Sequence, residues 1–277
     1  MNRGYWEWPG SGTEVEFGFE LLNPDSSIRS SVSFPAKMAG STSSDTGIST
    51  IPSIGLVHHL TRPPWTLALG AFGIAGFGVD DPSDPKNPIL NPAPMGFGSV
   101  FSDFQLLQLT PTVAYQLDKN WSVGLAPTLD QAHLAVDPFC GAPPDDANGD
   151  GFPTFPTASH ITDSWGWGYQ TGVWYNDLDS GWKAGASYKS EQDFAPFRWN
   201  SADEIGRPRQ VSLNLNFPSI ASLGVGYSGL ESFDFAFDVR YIDYSRTDGF
   251  GDAKFRKNLS VAGFGWDSIV LGFRVDF

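Results

Sequence analysis

Hydropathy in this chain repeats with a period of two over long segments, and within them the charges keep to one of the two rows. In Thr13–Leu22, Val15, Phe17, Phe19 and Leu21 alternate with a row holding Glu14, Glu16 and Glu20. In Asp103–Leu117, Leu107, Leu109, Val113, Tyr115 and Leu117 oppose Gln108, Thr110, Thr112 and Gln116. Trp121–Asp130, Ser164–Asn176, Trp182–Lys189 and Phe233–Asp243 behave alike, the last setting Phe233, Phe235, Phe237, Val239 and Tyr241 against Asp234, Asp238 and Arg240. The chain ends Leu271, Phe273, Val275, Phe277 against Arg274 and Asp276. A Lys or Arg facing lipid at mid-bilayer costs roughly 2–4 kcal/mol, so rows free of charge are what hydrocarbon imposes. A soluble β-sandwich also alternates, but its strands average about 5–6 residues, whereas tilted membrane strands need about 9–11. Most segments here are of the longer kind. The pattern predicts one all-β domain over residues 1–277, an antiparallel transmembrane β-barrel with about ten recognisable strands.

Composition agrees. Charged residues are 17% and aromatics 14%, which disfavours disorder, and Gly 31 with Pro 21 disfavours a helical protein. No run reaches the roughly 18 apolar residues of a membrane helix, and barrel strands do not need one. The net charge of -14 argues against a nucleic-acid partner, which binds through clustered Lys and Arg, and fits acidic surface loops. Cys140, the single cysteine, can form no internal disulfide and reads as an incidental loop thiol. The residues after Met1 show no basic region followed by an apolar one, so a signal peptide is expected to have been lost from this sequence.

Connections alternate in length. Thr61–Pro64, Asp118–Asn120, Asp177–Gly181 and Gly229–Ser232 are short and lead directly into Trp65, Trp121, Trp182 and Phe233. Aromatic rings with a polar edge favour the membrane interface, so these are expected to be periplasmic turns with their girdle. The long connections near 79–102, 136–163, 190–208 and 245–264 are then extracellular loops. Ile51–Leu60 and Trp65–Gly78 sort less cleanly: Phe72 and Ile74 fall on the opposite parity to Leu67 and Leu69. A bulge, a kink or a partly apolar lumen would each account for that.

Four stretches carry a family resemblance. Thr66–Pro92 (TLALGAFGIAGFGVDDPSDPKNPILNP), Ser102–Tyr115 (SDFQLLQLTPTVAY), Asn120–Leu129 (NWSVGLAPTL) and Ser222–Ser245 (SLGVGYSGLESFDFAFDVRYIDYS) resemble the FadL/TodX family of outer-membrane transport proteins. Similarity runs from about Val15 to Phe277. The resemblance implies a fourteen-stranded barrel in the Gram-negative outer membrane. It also implies passive uptake of long-chain fatty acids or other hydrophobic compounds such as aromatic hydrocarbons. Family members carry a signal peptide, a luminal hatch and further strands, so the chain is expected to be a fragment lacking them. Asn91-Pro92-Ala93 looks like the hatch signature but stands between strands. Phe277 resembles the terminal aromatic read in outer-membrane assembly, or is a strand cut short. The implied partners are hydrophobic small molecules, outer-membrane lipids and the barrel-assembly machinery, with no cofactor.

Uptake of amphiphiles asks for apolar surface and a few basic groups. Lys183, Lys189, Arg240 and Arg274 are expected to face the lumen, either contacting a carboxylate or pairing with Glu14, Glu16, Glu20, Asp234 or Asp238. Phe97, Phe101, Phe139, Phe152 and Phe155 are candidates for a capture groove in the outer loops, or for a loop core. Asp146, Asn148 and Asp150 with Gly151 resemble the opening of a calcium loop, but the twelfth position is Thr157, and an Asp/Asn/Gly turn is the preferred reading. No catalytic residue and no enzyme activity is expected. The rival, an outer-membrane lipase or protease, would need His58, His59, His133 or His160 beside a nucleophile or acid; Asp137 and Ser159 are near the last two in sequence only. A structural or adhesin-like surface barrel is the third reading.

Overall fold

The computed structural model describes residues 12–33, 37–60, 64–230 and 233–250, and places Asp267–Asp276 as a strand. Ten strands follow one another in a single antiparallel meander. They are β1 (Thr13–Leu22), β4 (Ser49–His59), β5 (Trp65–Asp81), β6 (Val100–Gln116), β7 (Trp121–Asp137), β8 (Ala158–Asn176), β9 (Trp182–Lys189), β13 (Ser219–Tyr227), β14 (Asp234–Asp243) and β15 (Asp267–Asp276). Among the described residues β1 and β15 are the two edges of this wall. A hairpin of β2 (Ser27–Val32) and β3 (Met38–Ser43) interrupts the β1–β4 connection, a 3-10 turn at Pro88–Leu90 the β5–β6 connection. The segment between β9 and β13 carries β10 (Asp193–Phe194) and the hairpin of β11 (Phe197–Ala202) and β12 (Pro208–Leu213).

Alternation decides which face each side chain takes. On β7, Trp121, Val123, Leu125, Pro127 and Leu129 are all exposed on the outer face, while Ala126, Thr128 and Asp130 are buried on the inner one. Cross-strand register carries these rows around the wall. Leu56 faces Leu69, Leu109 faces Leu129, and Leu223 faces Val239, all outside. Glu14, Glu16 and Glu20 of β1 register with the inner row of β4, as the alternation predicts.

Three of the four short turns are followed by a cross-strand aromatic pair. Trp65 lies opposite Tyr115, Trp121 opposite Tyr175, and Trp182 opposite Tyr227, with ring centroids 4.6, 4.9 and 4.8 Å apart. Two of these turns open on an aspartate. The Asn120 and Trp121 amides both donate to the Asp118 carboxylate at 2.8 Å, and the Ser180 hydroxyl donates to Asp177 at 2.7 Å. The side chains replace missing backbone partners and fix where the next strand starts.

At the long-loop end the polarity of both faces inverts. Above Leu107 the outer row of β6 continues as Gln105 and Asp103, while Leu106 and Phe104 point inward and are buried. On β7 the outer row turns to Gln131 and His133, with Ala132 and Leu134 inside. Leu107, Gln131 and Trp165 are neighbours in register, and so are Gln105, His133 and Asp163, so the inversion runs level across three strands. From Trp121 to Leu129 the apolar outer row covers nine positions, about 27 Å of strand and roughly 20 Å once tilted. Strands β5, β6 and β7, of 17 residues each, rise about 40 Å when tilted, well past that band.

The inner apolar surface above the band is covered by the β11–β12 hairpin. Phe197, Trp199 and Val211 pack on Phe104, Leu106, Ala132, Leu134 and Ala158, forming the core cluster. Trp199 donates its indole N–H to the His160 carbonyl at 2.9 Å, and the Thr162 hydroxyl donates to the Arg198 carbonyl at 3.1 Å. Gly166 and Gly168 let the stretch leading into the hairpin lie close on β8: a Cβ on Gly166 would stand 2.8 Å from the Phe194 ring, and one on Gly168 2.4 Å from the Gln192 amide. The mixed parity of β5 has two causes. A register shift between Gly73 and Ala75 bulges the strand at Ile74, and Phe72 belongs to the inner row, opposite Gln108.

Candidate functional site

The inner face below the hairpin carries an open cavity of about 600 Å³. Its wall is built mostly of the small inward residues of β6, β7, β8, β9 and β13, among them Thr110, Ala114, Gly124, Gly172, Ser187 and Ser222. Two aromatic side chains enter it, Phe72 from β5 and Trp174 from β8, and one acid, Asp238 from β14. A second cavity of about 350 Å³ adjoins it toward the short turns, where Trp174, Lys183, Asp234 and Asp238 meet.

A buried polar layer separates the cavity from the apolar cluster above. The Gln108 side-chain amide donates to Asp130 at 2.6 Å, the Thr128 hydroxyl donates to the Gln192 side-chain oxygen, and the Gln192 side-chain amide donates to the Ser190 carbonyl at 2.7 Å. Asp130 and Gln192 are fully buried, and one Asp130 oxygen has no hydrogen-bond partner among the described residues. Lys189 lies within electrostatic reach of Asp130 and holds its ammonium 5.3 Å from the centroid of the Phe217 ring. The layer ties the β9–β13 segment to the wall, because leaving buried polar groups unpaired costs about 1–3 kcal/mol each.

Lys183 and Arg240 take their expected places on the inner face, Lys183 opposite Gly226 and Arg240 opposite Ser222. Lys189 is there too, but only 9% exposed. The side chain of Arg274 lies outside the described residues; its backbone pairs with Ala236 in the inner row. Among the described residues the ion pairs are Lys119–Asp179, Arg209–Asp145 and Arg246–Asp243, with His133 3.9 Å from Asp103, so none joins these basic groups to the expected acids.

The loop phenylalanines divide. Phe97 and Phe155 meet with ring centroids 5.9 Å apart, joining two long connections, and Phe152 is exposed nearby in sequence. Phe101 is half-buried at the start of β6. Phe139 is buried against Trp199 in the core cluster and lines no exposed groove, because its loop folds back over the inner face. Asp146, Asn148 and Asp150 form a turn held by its own bonds: the Gly151 amide donates to Asp146 at 3.2 Å, the Asp150 amide to Asn148 at 2.9 Å. Among the described residues no group of three His, Cys, Asp or Glu side chains is placed to hold a metal.

The histidines are dispersed. His133 stands on the outer face 3.9 Å from Asp103, His160 accepts the Trp199 bond through its backbone, and His58 pairs with Thr13. Burial pushes the Cys140 thiol up, away from a reactive thiolate.

Trp174 and the polar layer were not singled out from sequence, and Phe72 stood out only as a parity exception. Trp174 carries a usable signal, since it is an aromatic on the polar parity of β8.

Comparisons follow the fold. The chain is similar in structure to the Ralstonia pickettii toluene transporter TbuX, at TM-score 0.63 and 15% identity over 86% of this chain and 64% of that one. The Pseudomonas putida toluene transporter TodX gives 0.56 at 17% identity, covering 84% and 61%, and a Pseudomonas aeruginosa FadL homologue 0.54 at 14%, covering 84% and 59%. The chain thus spans less than two thirds of the length of each. No curated protein matches it. The family of outer-membrane transport proteins described as OMPP1/FadL/TodX matches residues 12–263. Its members are transport channels of the Gram-negative outer membrane rather than enzymes. With the match covering nearly the whole sequence, the chain belongs to the FadL/TodX family of outer-membrane β-barrel proteins.

Proposed function

We propose that this chain forms the wall of a passive route by which hydrophobic compounds cross the outer membrane. The observation that carries the reading is the cavity of about 600 Å³ on the inner face, walled by small residues and entered by Phe72 and Trp174. Its volume suits a solute of one or two rings, or part of an alkyl chain, which pockets of roughly 300–1,000 Å³ enclose. Aromatic hydrocarbons and long-chain fatty acids are both candidate substrates, and the toluene transporters among the similar structures favour the former.

In this reading the Trp–Tyr turns face the periplasm and the long connections face outward. Phe97, Phe152 and Phe155 adsorb the compound, and the cavity receives it below the polar layer. Lys183 and Arg240 are the basic groups open to a carboxylate head, with Arg274 a third by register. Outer-membrane lipids cover the apolar band, and the barrel-assembly machinery inserts the strands. Diffusion down a gradient suffices, so no cofactor takes part.

The test is accumulation of labelled toluene and labelled oleate in an uptake-deficient strain expressing the full-length protein. Faster uptake of at least one is expected. Uptake of both at the rate of the empty strain refutes the reading.

A further inference from the structure

One register row crosses both cavities: Trp174 of β8 pairs with Gly185 of β9, Gly185 with Gly224 of β13, and Gly224 with Asp238 of β14. All four are inward positions. The two central glycines leave a bare floor between the outer two side chains, whose Cα atoms are three strand spacings apart, about 14 Å. Both side chains lean inward over that floor. A Cβ on Gly185 would stand 2.9 Å from the Trp174 ring, and a Cβ on Gly224 would stand 2.3 Å from an Asp238 carboxylate oxygen. The Trp174 indole and the Asp238 carboxylate thus lie over two adjacent glycines of one row, one from each side.

We infer that Trp174, Gly185, Gly224 and Asp238 form a luminal subsite for the charged end of a hydrophobic amine. An aromatic face attracts a cation through its quadrupole, the carboxylate attracts it by charge and accepts its N–H bonds, and a carboxylate placed between these two groups meets repulsion there. The apolar body of such an amine has the cavity wall from Thr110 to Ala126 to lie against. Among the described residues no cation of the chain fills the subsite. Lys183 lies two positions from Gly185 and Arg240 two from Asp238, yet neither makes an ion pair with Asp238 among the described residues. The described cation–ring contact is that of Lys189 with Phe217, in the layer above. Asp234 adds a second carboxylate to the adjoining cavity. This inference rests on the cavity being the solute route proposed above.

The experiment compares three ligands of one shape on the full-length protein in nonionic detergent: 1-naphthylmethylammonium, 1-methylnaphthalene and 1-naphthylacetate. Each is titrated calorimetrically against protein-free micelles, and uptake of 1-methylnaphthalene is measured in the expressing strain. The ammonium is expected to bind about tenfold more tightly than the neutral compound, and the carboxylate more weakly than the ammonium. Asp238→Asn should abolish that tenfold preference while the neutral compound still binds. Trp174→Leu should weaken both. Heat-modifiable gel mobility establishes that each variant is folded. Equal binding of ammonium and carboxylate, or a preference that survives Asp238→Asn, overturns the subsite. If the neutral compound binds and enters while the ammonium gains nothing, the subsite falls and the passage stands. If nothing binds and nothing enters, both fall.

Discussion

Leu125→Arg places a charge at the centre of the outer apolar row. Leu125 stands four positions beyond Trp121 and four before Leu129, and is 51% exposed. Four residues span about 13 Å along the strand, or roughly 10 Å of depth at the usual tilt, which brings the site near the middle of a band about 25 Å tall. Arg at that depth costs about 2–4 kcal/mol, whereas Arg at the interface costs about 0–1 kcal/mol. In the folding equilibrium this is a loss of about 30-fold to several hundred-fold. The assay is denaturant titration of the full-length protein folding into phospholipid vesicles. Leu125→Arg is measured beside Trp121→Arg, at the aromatic girdle, and Gln170→Arg, on the cavity wall. The order of cost should be Leu125 well above Trp121 and Gln170. If Leu125→Arg costs no more than Trp121→Arg, the outer row does not face hydrocarbon. A packed protein partner is tested by Leu125→Trp, which lipid accommodates and a close-packed interface does not.

Trp199→Ala empties the centre of the inner cluster, at a local cost of about 3–5 kcal/mol, and should release the β11–β12 hairpin. Trypsin cleavage after Arg198 should then become fast; resistance equal to the parent would contradict the packing. Asn87 is fully buried and links the Ile28 carbonyl, Ser30 and Thr42, so Asn87→Ala should loosen the β2–β3 hairpin by about 1–3 kcal/mol, read as faster amide exchange in Ser27–Val32. The Asn120 and Trp121 amides hold the Asp118 carboxyl below its ordinary 3.8. A depressed folded value gives stability present above the ordinary value and lost as pH falls through the folded one. The stability gap between parent and Asp118→Ala should therefore stay constant from about pH 7 to 5 and shrink below about pH 4. A gap that widens on acidification would contradict it.

The lower half of the wall was readable because one rule governs it. Where hydrocarbon lies outside and a polar lumen inside, Val123, Leu125 and Leu129 alternate with Ser122, Gly124 and Thr128, and no other partner intervenes. The upper half obeys a different rule, since water lies outside and the β11–β12 hairpin inside. There Leu106 and Leu134 are core although they share parity with Gln108 and Asp130. The phase change was visible as consecutive Leu106-Leu107, but its cause is a partner about 90 residues away, which no local pattern announces. Phe139 eluded the loop reading for the same reason. Trp174 stands on the polar parity because Gly185 on the next strand leaves it room, and that is a relation between strands, not along one. The basic residues of the inner row were placed correctly by parity, yet the burial of Lys189 depends on Phe217 and Asp130 from other strands and loops.

The most direct measurement is spin-label accessibility along β7 in vesicles, with single cysteines at positions 121 to 133 in a Cys140→Ser background. Labels at 123, 125, 127 and 129 should collide with dissolved oxygen and not with an aqueous nickel complex, and those at 131 and 133 should reverse this preference at the level where the outer row becomes polar. Aqueous accessibility at 125 equal to that at 133, or no period of two in the oxygen signal, would contradict a wall with lipid on its outer face.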